Sequence, residues 1–288
     1  MQIVSLIAKP GQLDPALVDN LRNAWGGGMA VWLSPDEAAE FPVATRPDNF
    51  DQVRGDLADH ADINMVPAES RRKRMLLADM DSTMIQQECI DELAEEAGVG
   101  DRVKDITARA MNGELDFDGA LTERVSLLKD LPEDTIDQVM QTRITLMPGG
   151  PALLATMKAS GGYAALVSGG FTAFTARVST LVGFDENRAN TLITKDGKLT
   201  GEVGHPILGR EAKVQALEEI TTRLGLDEAD VIAVGDGAND LGMLTRAGMG
   251  VALHAKPSVQ AQCRLRINHG DLTALLYLQG YAKADFAS

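Results

Sequence analysis

From Met75 onwards, short apolar runs alternate with stretches whose apolar residues recur at helical spacing. Strands are predicted at 75–79, 163–167, 231–235 and 249–253, each followed by a turn rich in Gly, Ser or Asp. Helices are predicted at 171–182, 210–224, 238–247 and 257–263. This alternation predicts an α/β fold with a mostly parallel, doubly wound sheet.

Residues 86–146 interrupt the alternation, because they contain helical spacing but no convincing strand. We expect a helical cap here, inserted directly after the first core strand. A cap at this point in the chain would stand over the carboxyl edge of the sheet, where a lid belongs. The catalytic core would then comprise residues 75–85 and 147–288, with a hairpin at 191–203.

The first 65 residues predict a small α+β domain, with strands within 3–8 and 29–34 and helices near 15–25 and 48–59. No catalytic pattern is present in this domain, which could regulate by binding a ligand or could form a homodimer. A linker is predicted at 66–74. Its cations, Arg71 to Arg74, could form a nucleic-acid patch, but a solvated linker is favoured because nothing aromatic or basic flanks them.

Composition and the absence of certain motifs argue against several classes of function. The net charge of −15 argues against nucleic-acid binding and requires local cations to attract an anionic substrate. No stretch resembles a membrane span or a signal peptide, and the two cysteines form no C-x-x-C pair. We therefore expect a reduced, cytoplasmic protein. A P-loop and a Cys-phosphatase loop are both absent from the sequence.

The strongest chemical signal is Asp79-Met80-Asp81-Ser82-Thr83, which directly follows a buried strand. Ligands bind at the carboxyl ends of strands in open α/β sheets. Two carboxylates at such an edge can share a metal ion, with one acting as nucleophile and the other transferring protons. Alone, the motif is equally compatible with a solvated turn.

Three weaker signals follow later strands. Ser168-Gly169-Gly170 is suited to holding phosphate oxygens, although it is also an ordinary turn. Lys213, on a predicted helix, would by itself be a solvated cation. Asp236 and Asp240 flank Asn239 at the start of another helix, where acids also serve as caps.

Together, the order Asp-x-Asp, Ser, Lys and Gly-Asp-Gly-x-x-Asp resembles the haloacid dehalogenase-like superfamily of phosphotransferases, from Met75 to about Gly270. The resemblance is closer to the phosphoserine phosphatase family. It implies that Glu88 and Arg124 hold the amino and carboxyl groups of serine, and that Met111 and Phe117 line the pocket under the cap.

The resemblance also implies a mechanism for hydrolysing O-phospho-L-serine, the last step of serine biosynthesis. Asp79 would form an aspartyl-phosphate, and Asp81 would transfer protons. The expected cofactor is Mg²⁺, bound by the Asp79 side chain, the Asp81 carbonyl and Asp236, with Asp240 supporting or joining them. Phosphate would be held by Ser168, the Gly169 N–H, Lys213 and Asn239.

Two other functions stay open at this point. A phosphotransferase would pass the phosphoryl group to another small alcohol and would use the same motifs. A non-catalytic phosphoserine-binding module is less favoured, because binding alone needs no nucleophile such as Asp79.

Overall fold

The computed structural model describes residues 1–111 and 114–287; of Met111 it describes the backbone alone. Twelve strands and twelve helices are assigned within these residues. The strands are β1 (Gln2–Ile7), β2 (Val31–Ser34), β3 (Ala38–Val43), β4 (Asp62–Pro67), β5 (Met75–Ala78), β6 (Tyr163–Phe171), β7 (Glu186–Asn190), β8 (Leu192–Lys195), β9 (Lys198–Val203), β10 (Val231–Gly235), β11 (Met249–Leu253) and β12 (Leu265–Ile267). The helices are α1 (Pro15–Ala24), α2 (Phe50–Asp56), α3 (Cys89–Glu96), α4 (Gly100–Met111), α5 (Phe117–Ser126), α6 (Asp134–Thr142), α7 (Gly150–Ala159), α8 (Thr172–Val182), α9 (Arg210–Leu224), α10 (Leu241–Arg246), α11 (Pro257–Gln260) and α12 (Ala274–Leu278).

The chain divides into two compact units. The first comprises Met1–Leu77, Pro148–Ala164 and Ile220–Ser288. The second comprises Ala78–Met147 and Ala165–Glu219. The predicted boundaries of a core, a cap and an amino-terminal domain stay predictions.

The amino-terminal part of the first unit is a four-stranded antiparallel sheet of order β2-β3-β1-β4, built from a β-α-β-β-α-β sequence. Its apolar side packs around Phe41 and Phe50, which are almost fully buried. Asp14 caps α1 by accepting a hydrogen bond from the Ala16 N–H, and Pro15 occupies the first helical turn. The predicted small α+β arrangement is therefore confirmed.

Strand β4 contacts the segment 264–270 through polar side chains within the first unit. The Asn64 amide accepts a hydrogen bond from the Arg266 N–H and donates one to the Arg266 carbonyl. The buried Asp62 carboxylate accepts hydrogen bonds from the N–H groups of Asn268 and His269, each at 2.8 Å. Side chains of β4 thus supply the segment with hydrogen bonds that the backbone of a neighbouring strand would otherwise supply.

The basic segment predicted as a solvated linker is bound to the protein surface of the same unit. Arg71 makes a bidentate ion pair with Glu40, with N···O distances of 2.6 and 2.7 Å. The guanidinium of Arg72 lies over the Tyr281 ring, 4.2 Å from its centroid. Lys73 donates to two backbone carbonyls. These cations therefore fasten the segment to its surroundings.

A six-stranded sheet has the order β12-β11-β10-β5-β6-β7. The pairs β10–β11, β11–β12 and β6–β7 are parallel. Every residue of β5, β10 and β11 is buried, as expected for strands that are covered on both faces. The predicted doubly wound α/β fold is confirmed, and β8 with β9 forms the predicted hairpin.

Between β5 and β6, the described residues of 86–146 form four helices, α3 to α6, and no named strand. Helix α3 turns Cys89, Ile90, Leu93 and Ala94 inward, which is the helical spacing seen in the sequence. Among the described residues, no helix is both long enough and apolar enough to cross a membrane.

Candidate active site

The second unit contains a buried ion pair between Asp79 and Lys213. Asp79 directly follows β5, and Lys213 lies in the first turn of α9. The Lys213 Nζ atom is 2.6 Å from Asp79 Oδ1, and the residues are 1% and 5% exposed. Lysine is almost never buried to this extent unless it is paired. Lys213 is therefore not the solvated cation that its sequence context alone favours.

Both oxygens of the Asp81 carboxylate are held by hydrogen bonds. The Cys89 N–H donates to Oδ1 at 2.8 Å, and the Ser168 hydroxyl donates to Oδ2 at 3.1 Å. Ser168 Oγ in turn accepts a hydrogen bond from the Gly170 N–H at 2.8 Å. The second carboxylate of the Asp-x-Asp motif thus has a fixed orientation, in surroundings different from those of Asp79.

A tight turn carries the chain from Asp81 to α3. The N–H of Met84 donates to the Met80 carbonyl, and Ser82 has a left-handed backbone, with φ of 54°. This conformation lets the Ser82 hydroxyl donate to Glu88 Oε1 at 2.6 Å. Glu88, the residue before α3, is exposed, and this hydrogen bond orients its carboxylate.

Helices α4 and α5 line an open cavity of about 290 Å³, to which Phe117 and Arg124 both contribute. The Arg124 Nε–H donates to the Ala120 carbonyl at 3.2 Å, which holds the guanidinium on its own helix. Burial lowers the pKa of Arg124, and the charges of Asp91 and Glu88 oppose this shift. The side chain of Met111, which was predicted to line the same pocket, lies outside the described residues.

The Phe117 ring rests against two glycine backbones. A Cβ atom added to Gly169 would lie 3.1 Å from Phe117 Cζ, and one added to Gly209 would lie 3.1 Å from Phe117 Cδ1. Neither glycine has a positive φ. The requirement for glycine at these positions is therefore close packing against the ring.

In the first unit, Asp236 follows β10 and a short 3₁₀ turn spans Ala238–Asp240. Asp240 is fully buried, and its Oδ2 accepts a hydrogen bond from the Gly237 N–H at 2.9 Å. A Cβ atom on Gly235 would lie 2.4 Å from Asp240 Cγ, so only glycine fits beside this carboxylate. Asp236 and Asn239 are half-buried.

Within the first unit, Asp236 and Asp240 each offer one carboxylate oxygen, and these two oxygens lie within 4.8 Å of each other. A donor set made only of carboxylate oxygens suits a hard divalent cation such as Mg²⁺. The residues present therefore fit the expected metal.

The haloacid dehalogenase-like hydrolase model matches residues 76–245, more than half of the chain. The chain belongs to this family. It is 44% identical over 214 residues to the phosphoserine phosphatase of Vibrio cholerae serotype O1, a match that covers 74% of this chain and 65% of that protein. The predicted resemblance to phosphoserine phosphatases is confirmed.

Two solved structures are also similar. A HAD-family hydrolase from Salmonella enterica serovar Typhi superimposes with a TM-score of 0.87 at 30% identity, covering 97% of this chain and 98% of that one. A phospho-aspartyl intermediate analogue of phosphoserine phosphatase gives a TM-score of 0.66 at 42% identity, covering 71% of this chain and 98% of that one. The chain spans 57 to 65% of the length of the first three curated relatives.

Within this HAD-like hydrolase, sequence reasoning missed Cys89 as a partner of Asp81. The contact is made by the backbone N–H at the start of α3, and a backbone contact cannot be inferred from the residue type. Burial, and then the charge of Asp81, raises the pKa of the Cys89 thiol. The thiol next to Asp81 therefore stays protonated.

Proposed function

We propose that the protein is a Mg²⁺-dependent phosphatase that hydrolyses O-phospho-L-serine through an aspartyl-phosphate. The observation that carries the proposal is the contrast between its two neighbouring carboxylates. Asp79 is paired with the buried Lys213, whereas Asp81 is held by a hydroxyl and a backbone N–H. Two carboxylates in different environments can take different chemical roles.

In the proposed first step, an Asp79 oxygen attacks phosphorus while the bond from phosphorus to the serine oxygen breaks. Asp81 donates a proton to that leaving oxygen, so that serine departs as a neutral alcohol. In the second step, water attacks the aspartyl-phosphate and Asp81 takes its proton. The acyl-phosphate bond from phosphorus to Asp79 breaks, which releases phosphate and restores the Asp79 carboxylate and the protonated Asp81.

The remaining groups are assigned to the phosphate oxygens and to the metal ion. We assign Ser168, the Gly169 N–H, Lys213 and Asn239 to the phosphate oxygens. Mg²⁺, when bound, would neutralise phosphate charge. The residues proposed to hold it are the Asp79 side chain, the Asp81 carbonyl and Asp236, with Asp240 supporting or joining them.

Recognition of serine is assigned to the exposed Glu88 and the pocket-lining Arg124. Glu88 would bind the ammonium group, and Arg124 would bind the carboxylate with two parallel hydrogen bonds. Phe117 and Met111 would cover the substrate. On this proposal the enzyme catalyses the last step of serine biosynthesis in the cytoplasm, where free thiols such as its two cysteines persist.

The test is phosphate release from a panel of phosphomonoesters with Mg²⁺, with a chelator, and with an added acceptor alcohol. Phosphoserine should react fastest, the chelator should stop the reaction, and the alcohol should leave phosphate release unchanged. Transfer of the phosphoryl group to the alcohol would indicate a phosphotransferase instead. Phosphoserine binding without any turnover would indicate a regulatory module.

We also propose a homodimer formed through the edge strand β2. Met29, Val31 and Trp32 are 79%, 47% and 37% exposed, and β2 lies at one edge of the amino-terminal sheet. An exposed apolar edge strand is a template for pairing with another chain. Light scattering should give twice the 30.7 kDa chain mass, and Val31→Lys should reduce it to one chain. A monomeric wild type would contradict this proposal.

A further inference from the structure

Asn190, the last residue of β7, is a buried amide whose hydrogen bonds all go to two loops of the site. It is 2% exposed. Its Nδ2 donates to the Gly169 carbonyl at 2.8 Å and to the Leu208 carbonyl at 3.1 Å. Its Oδ1 accepts from the Leu208 N–H at 2.7 Å. A buried amide satisfied in this way holds its partners in one arrangement.

One peptide plane connects Asn190 to the acid–base carboxylate. The carbonyl of the Gly169–Gly170 peptide accepts from Asn190, and the N–H of the same peptide donates to Ser168 Oγ at 2.8 Å. The Ser168 hydroxyl donates to Asp81 Oδ2 at 3.1 Å. A rotation of this peptide plane would therefore redirect the Ser168 hydroxyl and release one oxygen of Asp81.

The Leu208 contacts extend the same arrangement to the other loop. Asn190 pairs with both the N–H and the carbonyl of Leu208, two residues before α9 begins and five before Lys213. Phe117 packs against Gly169, whose carbonyl is one contact point, and against Gly209, one residue beyond the Leu208 contacts. Asn190 thus joins the two backbone segments on which the ring rests.

We propose that Asn190 is a positioning residue, which orients the Ser168 hydroxyl and hence Asp81 through the Gly169–Gly170 peptide. The assignment rests on the proposed phosphatase function, in which Asp81 transfers the protons. It predicts that the side-chain amide of Asn190 matters for chemistry although it contacts no reacting atom.

Asn190→Asp is the sharpest variant, because it preserves the shape and the acceptor for the Leu208 N–H but removes both Nδ2–H donors. Asn190→Ala removes all three hydrogen bonds. We expect both variants to lower kcat by roughly 10- to 100-fold, as small misplacements of catalytic groups do. KM should change less than kcat, and the kcat–pH profile should differ from that of the wild type.

Asn187→Ala is the matched control. Asn187 lies on the same strand, and its amide accepts a hydrogen bond from Thr175 Oγ1 at 2.9 Å, away from both loops. Its kcat and pH profile should equal those of the wild type. Wild-type kcat and pH profile in Asn190→Asp would overturn the proposal, and so would an equal loss of kcat in Asn187→Ala.

Two measurements separate this inference from the proposed substrate. Rates on an aryl phosphate as well as on phosphoserine would reveal an effect on the chemical step even if phosphoserine is the wrong substrate. Crystal structures of wild type and Asn190→Asp test the relay without any turnover. The Ser168 Oγ to Asp81 Oδ2 hydrogen bond should be lost in the variant, and its persistence at 3.1 Å would overturn the assignment.

Discussion

Lys213 Nζ lies 2.6 Å from Asp79 Oδ1, and solvent reaches almost nothing of either side chain. In a chain with a net charge of −15, this pairs a buried lysine with the carboxylate that we propose as the nucleophile toward an anionic phosphate. A buried charge pair of this kind is costly to break from one side, because the remaining charge is left without compensation. The pair therefore has consequences for stability as well as for rate.

Lys213→Met should separate these two consequences. Loss of the ammonium should lower kcat by about 10²- to 10³-fold, as loss of a preorganised charge-stabilising group does. Without Mg²⁺, the free energy of unfolding should fall by roughly 3–5 kcal/mol, because Asp79 stays buried after the charge of Lys213 is removed. Calorimetry should find that added Mg²⁺ restores part of this loss. A variant as stable as wild type without metal would contradict the electrostatic account.

Substitution of the two carboxylates of the Asp-x-Asp motif should impair different steps of the proposed reaction. Asp79→Asn should form no phospho-enzyme and should lose turnover by orders of magnitude, because the amide is a poor nucleophile. Asp81→Asn should slow both formation and breakdown of the phospho-enzyme, because both need proton transfer. Rapid-quench kinetics with labelled substrate distinguish these outcomes. Normal rates for both steps in Asp81→Asn would remove Asp81 from its role.

Arg124 should determine specificity for the substrate carboxylate. Arg124→Ala should reduce kcat/KM on phosphoserine by about 10²-fold or more, since a buried hydrogen-bonded charge pair is lost. The loss should be smaller on phosphoethanolamine, which carries the ammonium group but no carboxylate. Arg124→Lys keeps the charge but cannot make two parallel hydrogen bonds to a carboxylate. Its kcat/KM on phosphoserine should therefore lie between those of the wild type and Arg124→Ala. Equal losses on both esters would argue against carboxylate recognition.

Gly209→Ala should displace Phe117 without straining the backbone. The added Cβ would lie 3.1 Å from the ring, so Phe117 must move by a few tenths of an ångström. We expect KM for phosphoserine to rise severalfold, with a smaller change in the unfolding free energy. Gly55→Ala is the control, because a Cβ there has nothing within 4 Å. Phe117→Leu in the Gly209→Ala background should reverse part of the rise in KM. If the effects of the two substitutions on KM were simply additive, the two residues would not be coupled.

Both thiols should react slowly with disulfide reagents in the native protein. Burial raises the pKa of Cys89 and of Cys263, so little of the reactive thiolate exists at pH 8. An unfolded thiol ionises near pH 8.5, so above this pH the unfolded state binds fewer protons and stability should fall as pH rises. Ellman's reagent should therefore react rapidly only after denaturant is added. Rapid reaction of Cys89 in the folded protein would contradict its burial.

The sequence predicted the parts of this fold that depend on apolar pattern. Strands β5, β10 and β11 are continuous apolar runs, and their positions agree with the prediction to within one residue. Strand β7, with the sequence Glu-Asn-Arg-Ala-Asn, was missed because it lies at the sheet edge and has no apolar run. Its conformation comes from pairing with β6, a contact that local pattern does not encode.

The residues of the candidate site also divide into those that the sequence pattern indicated and those that it did not. Asp79, Ser168 and Asp236 were proposed from the sequence because each follows a predicted strand, and that position implies a common edge. Asn190 was not found, because its partners are 18 and 21 residues away and nothing in the intervening sequence relates them. Residues that react carry a chemical signature, whereas residues that orient them through backbone groups carry none.

The contacts of β4 bear on any attempt to prepare a shortened enzyme. Asn64 and Asp62 supply the hydrogen-bond partners of Arg266, Asn268 and His269. Cutting the chain before Met75 would therefore leave these main-chain groups facing water, along an edge open to other molecules. We expect a truncated fragment to precipitate or to bind its own copies unless a designed peptide or engineered side chains replace what was cut away.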